Sequence, residues 1–339
     1  MNRGASLQRV TSLILLSFFF KHALAVKTDE IIRPVDAVIK ETGELLRSGK
    51  FGELDKRAEK YRTKNVLTSD GQPKLVGFYG GVVEPVDGCK SLEGREARWR
   101  DHQQHLLNWA VHSPSAEAPK LALAGYEAAF GWCAWGGGYA STVTAENWEI
   151  FQRKIANSRA LLEKLAPTAR RNPEWYTHML HVGLSQGWDA DEFNSLFNEA
   201  AARFPSYYSL YFQAANYYSA IWYGSQEQFK AFVEATVAAT EPRLGQTMYA
   251  RLHWAQWEPD MFQNGKTDWT RMKVAFERLI KDFPDSWNRN NFAKFACMAG
   301  DKKTLSEQLD LIGKSVVPTA WDGKSFFQDC KKFASNAAA

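Results

Sequence analysis

The sequence predicts an all-α protein built as an α-solenoid of stacked helix pairs. Three observations predict it. Apolar residues recur at three, four and seven positions along most of the chain, the pattern of a helix with one buried face. No stretch of useful length alternates apolar and polar residues as a half-buried strand does. Prolines that open helices return at a near-regular interval in the second half.

Taken in order, Ile31, Ile32, Val35, Val38, Ile39, Leu45 and Leu46 follow helical spacing from Asp29 to Leu46, and Ser48-Gly49-Lys50 ends that helix. A second helix begins near Phe51 with Leu54, Ala58 and Tyr61 on one face, and Asp70-Gly71-Gln72-Pro73 breaks the chain. Residues 26–82 thus read as an N-terminal helix pair and loop, and residues 83–339 as the helical array. An irregular stretch over 83–91 leads to a helix bearing Trp99, His102, Leu106 and Trp109. The alanine-rich helix from Ala116 to Trp135 stops at Gly136-Gly137-Gly138, since each glycine costs a helix interior about 1 kcal/mol. Thr144 is a good N-cap for the helix carrying Trp148, Phe151, Ile155 and Leu162.

Beyond Pro167, Asn172-Pro173-Glu174-Trp175, Phe204-Pro205-Ser206-Tyr207 and Phe283-Pro284-Asp285-Ser286-Trp287 each open a helix, with proline where its missing N–H has no intrahelical partner. Pro173 and Pro205 are 32 residues apart and Pro205 and Pro284 are 79 apart, with Pro242 between. The first interval is close to the 34-residue tetratricopeptide period and the second spans two longer units. The segments Phe51-Gly-Glu-Leu-Asp55, Gly138-Tyr-Ala-Ser-Thr-Val143, Asn172-Pro-Glu-Trp-Tyr176, Trp222-Tyr-Gly224 and Tyr249-Ala-Arg-Leu-His-Trp254 occur in this order. On them the chain resembles the bacterial family catalogued as domain of unknown function 4034, over most of residues 45–300. The resemblance implies a tetratricopeptide-like fold and carries no reaction, ligand or catalytic residue.

At the N-terminus Arg3 and Arg9 precede an apolar run from Leu13 to Phe20, and Ala23-Leu24-Ala25 has the small-x-small pattern of a signal-peptidase site. Residues 1–25 are expected to be a signal peptide, leaving a periplasmic or secreted chain that begins at Val26. The run is less than half of the roughly 20 residues that span a bilayer, so no membrane insertion is expected. Loss of Arg3, Arg9 and Lys21 lowers the net charge from +4 to +1. A near-neutral chain without Lys/Arg blocks lacks the footprint of a nucleic-acid or anionic-membrane binder. Four cysteines in an exported chain can pair in three ways. Cys297 with Cys330 on neighbouring C-terminal helices is the preferred pair, leaving Cys89 with Cys133.

Several motifs mimic known chemistry. Gly183-Leu184-Ser185-Gln186-Gly187 matches the G-x-S-x-G elbow of hydrolases, but it follows a helical stretch rather than a strand, and reads as a helix stop with Asp189 capping the next helix. His178 and His181 share a helical face without a third ligand at a metal-site spacing, as do His102 and His105. Gly136-Gly137-Gly138 is not followed by the lysine of a phosphate-binding loop, and reads as a turn that can still touch a ligand. No residue is assigned a catalytic or metal-binding role, and no cofactor is implied.

The aromatics are what remains. Thirteen tryptophans and the run of Tyr207, Tyr208, Tyr211, Tyr217, Tyr218, Trp222 and Tyr223 exceed one buried stripe. An exposed aromatic patch beside Arg251 is expected to bind a peptide or protein partner, with Trp222, Tyr249, Arg251, Trp254 and Tyr139 as its candidate residues. The competing expectation is an exported hydrolase of cell-wall or glycan material, for which Glu146 and Glu149 lie near the glycine loop without forming a defined pair.

Overall fold

The computed structural model describes residues 31–90, 94–263 and 265–335. The expected signal peptide and the cut before Val26 lie outside these. Among the described residues there are fifteen α-helices, two 3-10 turns, and one isolated antiparallel bridge between Leu67 and Pro73. The helices are α1 (Pro34–Arg47), α2 (Phe51–Lys64), α3 (Lys74–Val83), α4 (Arg95–His112), α5 (Ala118–Trp135), α6 (Ala145–Ala169), α7 (Pro173–Gln186), α8 (Ala190–Arg203), α9 (Tyr208–Tyr218), α10 (Gln226–Leu244), α11 (Thr247–Ala255), α12 (Trp269–Asp282), α13 (Ser286–Met298), α14 (Lys302–Ile312) and α15 (Lys324–Ser335).

From α3 to α14 each helix packs on the next except at the turn between α3 and α4, and the odd-numbered helices α3, α5, α7, α9 and α11 also pack on one another. The odd helices therefore form an inner layer and the even ones an outer layer, the arrangement of an α-solenoid. Burial follows the layers. All nine residues of α11 and ten of the fourteen in α7 are buried, whereas outer helix α12 buries only Met272, Ala275, Phe276 and Leu279, an i, i+3, i+4, i+7 stripe. The last four pairs start at Pro173, Tyr208, Thr247 and Ser286, repeats of 35, 39 and 39 residues. Polar side chains cap these turns: Asn172, Asp189, Ser225, Asp268, Asp285 and Asp301 each accept from a backbone N–H of the helix they precede, as Thr144 does for α6.

Three details differ from the sequence expectation. Helix α1 begins at Pro34 rather than Asp29, because proline at the first helical position leaves Arg33 extended ahead of it. Pro242 sits near the end of α10 and opens no helix; the next pair starts at Thr247. Helix α3 occupies what the sequence reads as the loop after the first helix pair, and it carries Gly77, Gly80 and Gly81 in ten residues. These glycines admit α1: a Cβ on Gly77 would stand 2.9 Å from Val38 Cβ, and one on Gly81 only 2.1 Å from Thr42 Oγ1. Position 82 lies in the last turn of α3, which packs on both α1 and α5.

The array curls until its first loop meets its last turns. Ser69 Oγ donates to Asp285 Oδ2 at 2.6 Å, and Asn288 Nδ2 donates to the Asp70 carbonyl at 3.1 Å, contacts 216 and 218 residues apart in sequence. The Arg33 guanidinium lies 5.4 Å from the Trp287 ring centroid. At Gly71, φ is +82° and the Phe283 ring leaves 2.7 Å for a Cβ, so only glycine fits this junction. Cys89 is bridged to Cys133 and Cys297 to Cys330, with Cα–Cα separations of 5.5 and 5.7 Å, which is the expected pairing. Among the described residues no helix is long and apolar enough to cross a membrane.

Candidate functional site

A cleft of about 560 Å3 lies between α1 and the concave side of the inner layer, a volume typical of ligand sites. Helix α1 forms one wall with Val35, Ile39 and Gly43. Asp70 enters from the loop after α2 and Glu84 from the end of α3. The opposite wall is Ser209 and Phe212 of α9, Arg251 and Trp254 of α11 and Trp287 of α13, with Thr319 from the second 3-10 turn, Pro318–Ala320.

The lining has a dry floor and a wet rim. Asp70, Ser209 and Arg251 are 1, 2 and 3% exposed, while Lys40, Glu44, Val86 and Asp87 stand exposed at the rim. Five lining residues hold buried polar atoms with no hydrogen-bond partner in the protein: Asp70 Oδ2, Glu84 Oε1, Ser209 Oγ, Arg251 Nε and Nη2, and Thr319 Oγ1. The other carboxylate oxygen of Asp70 accepts from the Thr68 hydroxyl within the 66–73 loop. Burial pushes the Asp70 carboxyl up, against the Thr68 hydrogen bond and the charges of Arg33 and Arg251. Burial also pushes Glu84 well above the ordinary carboxylate range. The Arg251 pKa is lowered by the same cause, with Tyr208 and Asp70 opposing it, yet a guanidinium stays charged. The Tyr208 ring covers one face of it, with its centroid 4.5 Å away.

Of the five residues expected to bind a partner, the structure brings Arg251 and Trp254 to this cleft and separates the other three. Tyr249 is buried on the other side of α11, where its hydroxyl accepts from Asp268 N at 2.9 Å and its ring lies 4.2 Å from the Arg271 guanidinium. Trp222 packs edge-on against Trp132 at 5.6 Å, in an aromatic cluster with Trp135, Trp148 and Phe151. Tyr139, 45% exposed, sits at the glycine loop. The expected exposed patch beside Arg251 is therefore corrected. Tyr207, Tyr208, Tyr211 and Tyr217 are all buried, because an inner helix is covered by two outer neighbours and by the inner helices beside it. Asp70 read only as a turn residue, and Glu84 and Ser209 gave no signal in the sequence at all.

The lookalike motifs fall elsewhere. Ser185 lies within α7, donating to the His181 carbonyl at 2.7 Å and accepting from Trp132 Nε1 at 3.0 Å, and Gly187 stops the helix at φ +68°. His178 Nε2 is 3.8 Å from Glu174 Oε2, too long for a hydrogen bond. His102 donates to the Val82 carbonyl at 2.8 Å inside the core. Among the described residues no three His, Cys, Asp or Glu side chains converge as a metal site. Glu146 and Glu149 are exposed on α6 and do not line the cleft. Comparison of the chain with protein-family models, with curated proteins and with solved structures returns no match.

Proposed function

We propose that this is an exported, tetratricopeptide-like binding protein whose cleft receives a short segment of a peptide or protein partner. One observation carries the reading: five side chains far apart in sequence that line a single cleft each hold a buried polar atom without a hydrogen-bond partner in the protein. Such atoms lose their hydration on folding and regain hydrogen bonds only from what enters. The apolar surfaces of Phe212, Trp254 and Trp287 beside them suit the body of a peptide, and the volume suits a few residues. Two cystine bridges support export, because such bridges persist in oxidising compartments.

The glycan-hydrolase reading draws on Asp70 and Glu84, two carboxyl groups in one cleft. That chemistry needs one group protonated and its partner ionised, with environments that push the two apart. Here burial pushes both toward the protonated form. Binding is thus the better supported function. Hydrogen exchange with a degenerate hexapeptide pool tests it: protection is expected on α1, α9 and α11, and its loss in Trp254→Ala. Protection confined to the outer helices would refute the cleft as the binding site.

A further inference from the structure

The partner's chemistry can be read from the floor of the cleft, an inference that rests on the binding function proposed above. Nε and Nη2 of Arg251 are the two nitrogens along one edge of the guanidinium, and neither has a protein partner. Their N–H bonds run side by side, the geometry with which arginine holds a planar carboxylate through two hydrogen bonds. Asp70 attracts this guanidinium through space but does not hydrogen-bond that edge. Ser209 Oγ, equally buried and unpaired, adds a third donor to the floor.

Charge and depth narrow the ligand further. The floor holds one buried cation, Arg251, with the Asp70 carboxyl acting on it through space, a single charge that matches a monoanion better than a phosphate dianion. Arg251 lies buried in a cleft whose rim residues Lys40, Glu44, Val86 and Asp87 are exposed, so a ligand that enters past the rim meets it with its end. The geometry points to a carboxylate-terminated ligand, the C-terminal end of a peptide: its carboxylate bonded edge-on by Arg251 and by Ser209, its N–H groups meeting Asp70 Oδ2 and Glu84 Oε1, and its last side chains against Phe212 and Trp254. Burying an unpaired guanidinium is unfavourable, and a bound carboxylate supplies the missing counter-charge.

Isothermal titration with three probes tests the assignment: acetyl-Ala-Ala-Phe as the free acid, the same peptide as its C-terminal amide, and 3-phenylpropionate as a free organic acid. The free-acid peptide is expected to bind at least about tenfold more tightly than the amide, the loss that follows from removing one charge-assisted pair. Arg251→Lys, which keeps the charge and loses the fork, is expected to weaken the free acid by about the same factor and leave the amide unchanged. Should that variant fold poorly, the acid and amide comparison on the unaltered protein still decides. Equal affinity for acid and amide would overturn the carboxylate assignment and leave peptide binding standing. Arg251-dependent binding of 3-phenylpropionate alone would support the carboxylate site and overturn the peptide reading. Absence of binding by all three would overturn the assignment.

Discussion

Gly81 stands where α1 crosses α3, and a methyl group there would lie 2.1 Å from Thr42 Oγ1 and 2.3 Å from the Ile39 carbonyl oxygen. One contact is backbone, so the clash is relieved only by moving α1 off the inner layer. Gly81→Ala is expected to destabilise by about 3 kcal/mol, the upper part of the overpacking range, and to open the cleft that α1 walls. Gly52 is the control, helical in α2 with nothing within 4 Å of its Cβ site, and Gly52→Ala is expected to stabilise by about 0.5–1 kcal/mol. Urea denaturation of both variants checks this; equal midpoints would show that α1 is free to shift. The same residue scale explains what the sequence concealed. Arg251 sits in a legible segment, Tyr249 to Trp254, yet nothing local tells which of its side chains points to the cavity. Tyr249 and Arg251 lie two positions apart on one helix and end on opposite sides of it.

Among the elements, helices marked by a proline opening or an apolar stripe were legible, α7, α9 and α13 by the first and α4 and α6 by the second, and α3 was not. Helix α6 shows its apolar stripe and its Thr144 cap in the sequence, whereas α3 is buried along seven of its ten residues and lacks the period that marks a surface helix. Asp301 shows how much a cap can join. Its carboxylate accepts from Thr304 N at 3.0 Å and Thr304 Oγ1 at 2.7 Å, and from Trp269 Nε1 and Lys273 Nζ of α12, each at 3.1 Å. Burial alone would raise its pKa, but these donors hold it well below the usual carboxylate range. Asp301→Ala is expected to remove about 2–3 kcal/mol, against about 1 kcal/mol for the ordinary cap lost in Ser225→Ala. Equal losses in chemical denaturation would show that the links to α12 carry no weight.

Across the whole molecule, four histidines are held neutral: burial lowers His102 and His181 to about 4 and His178 and His253 to about 3. Unfolded histidine titrates near 6.5, so below that pH the unfolded chain takes up protons that the native state refuses. Each fully protected histidine then loses roughly 1.4 kcal/mol of stability per pH unit as the pH falls. Glu174 acts oppositely. Burial raises it to about 7 despite the hydrogen bond donated by Tyr207, so its contribution is present at low pH and lost as pH rises from about 4.5 to 7. The histidines outnumber it, and the melting temperature is expected to fall by roughly 5–10 °C between pH 6.5 and pH 5, as scanning calorimetry would record. A flat profile would mean that these rings are hydrated in the native state. The meeting of the 66–73 loop with α13 has a mechanical consequence. A solenoid with free ends behaves as a spring whose coil widens or tightens to suit what it grips. Here Ser69 and Asn288 clasp one turn to another, and the clasp sets the coil's diameter as a gauge. Ser69→Ala combined with Asn288→Ala should release it, giving a larger radius of gyration in small-angle scattering, and an unchanged radius would assign the diameter to the core alone. On the binding function proposed above, the clasp holds the cleft to one width, so that a ligand too broad for it is excluded at the rim whatever charge it carries.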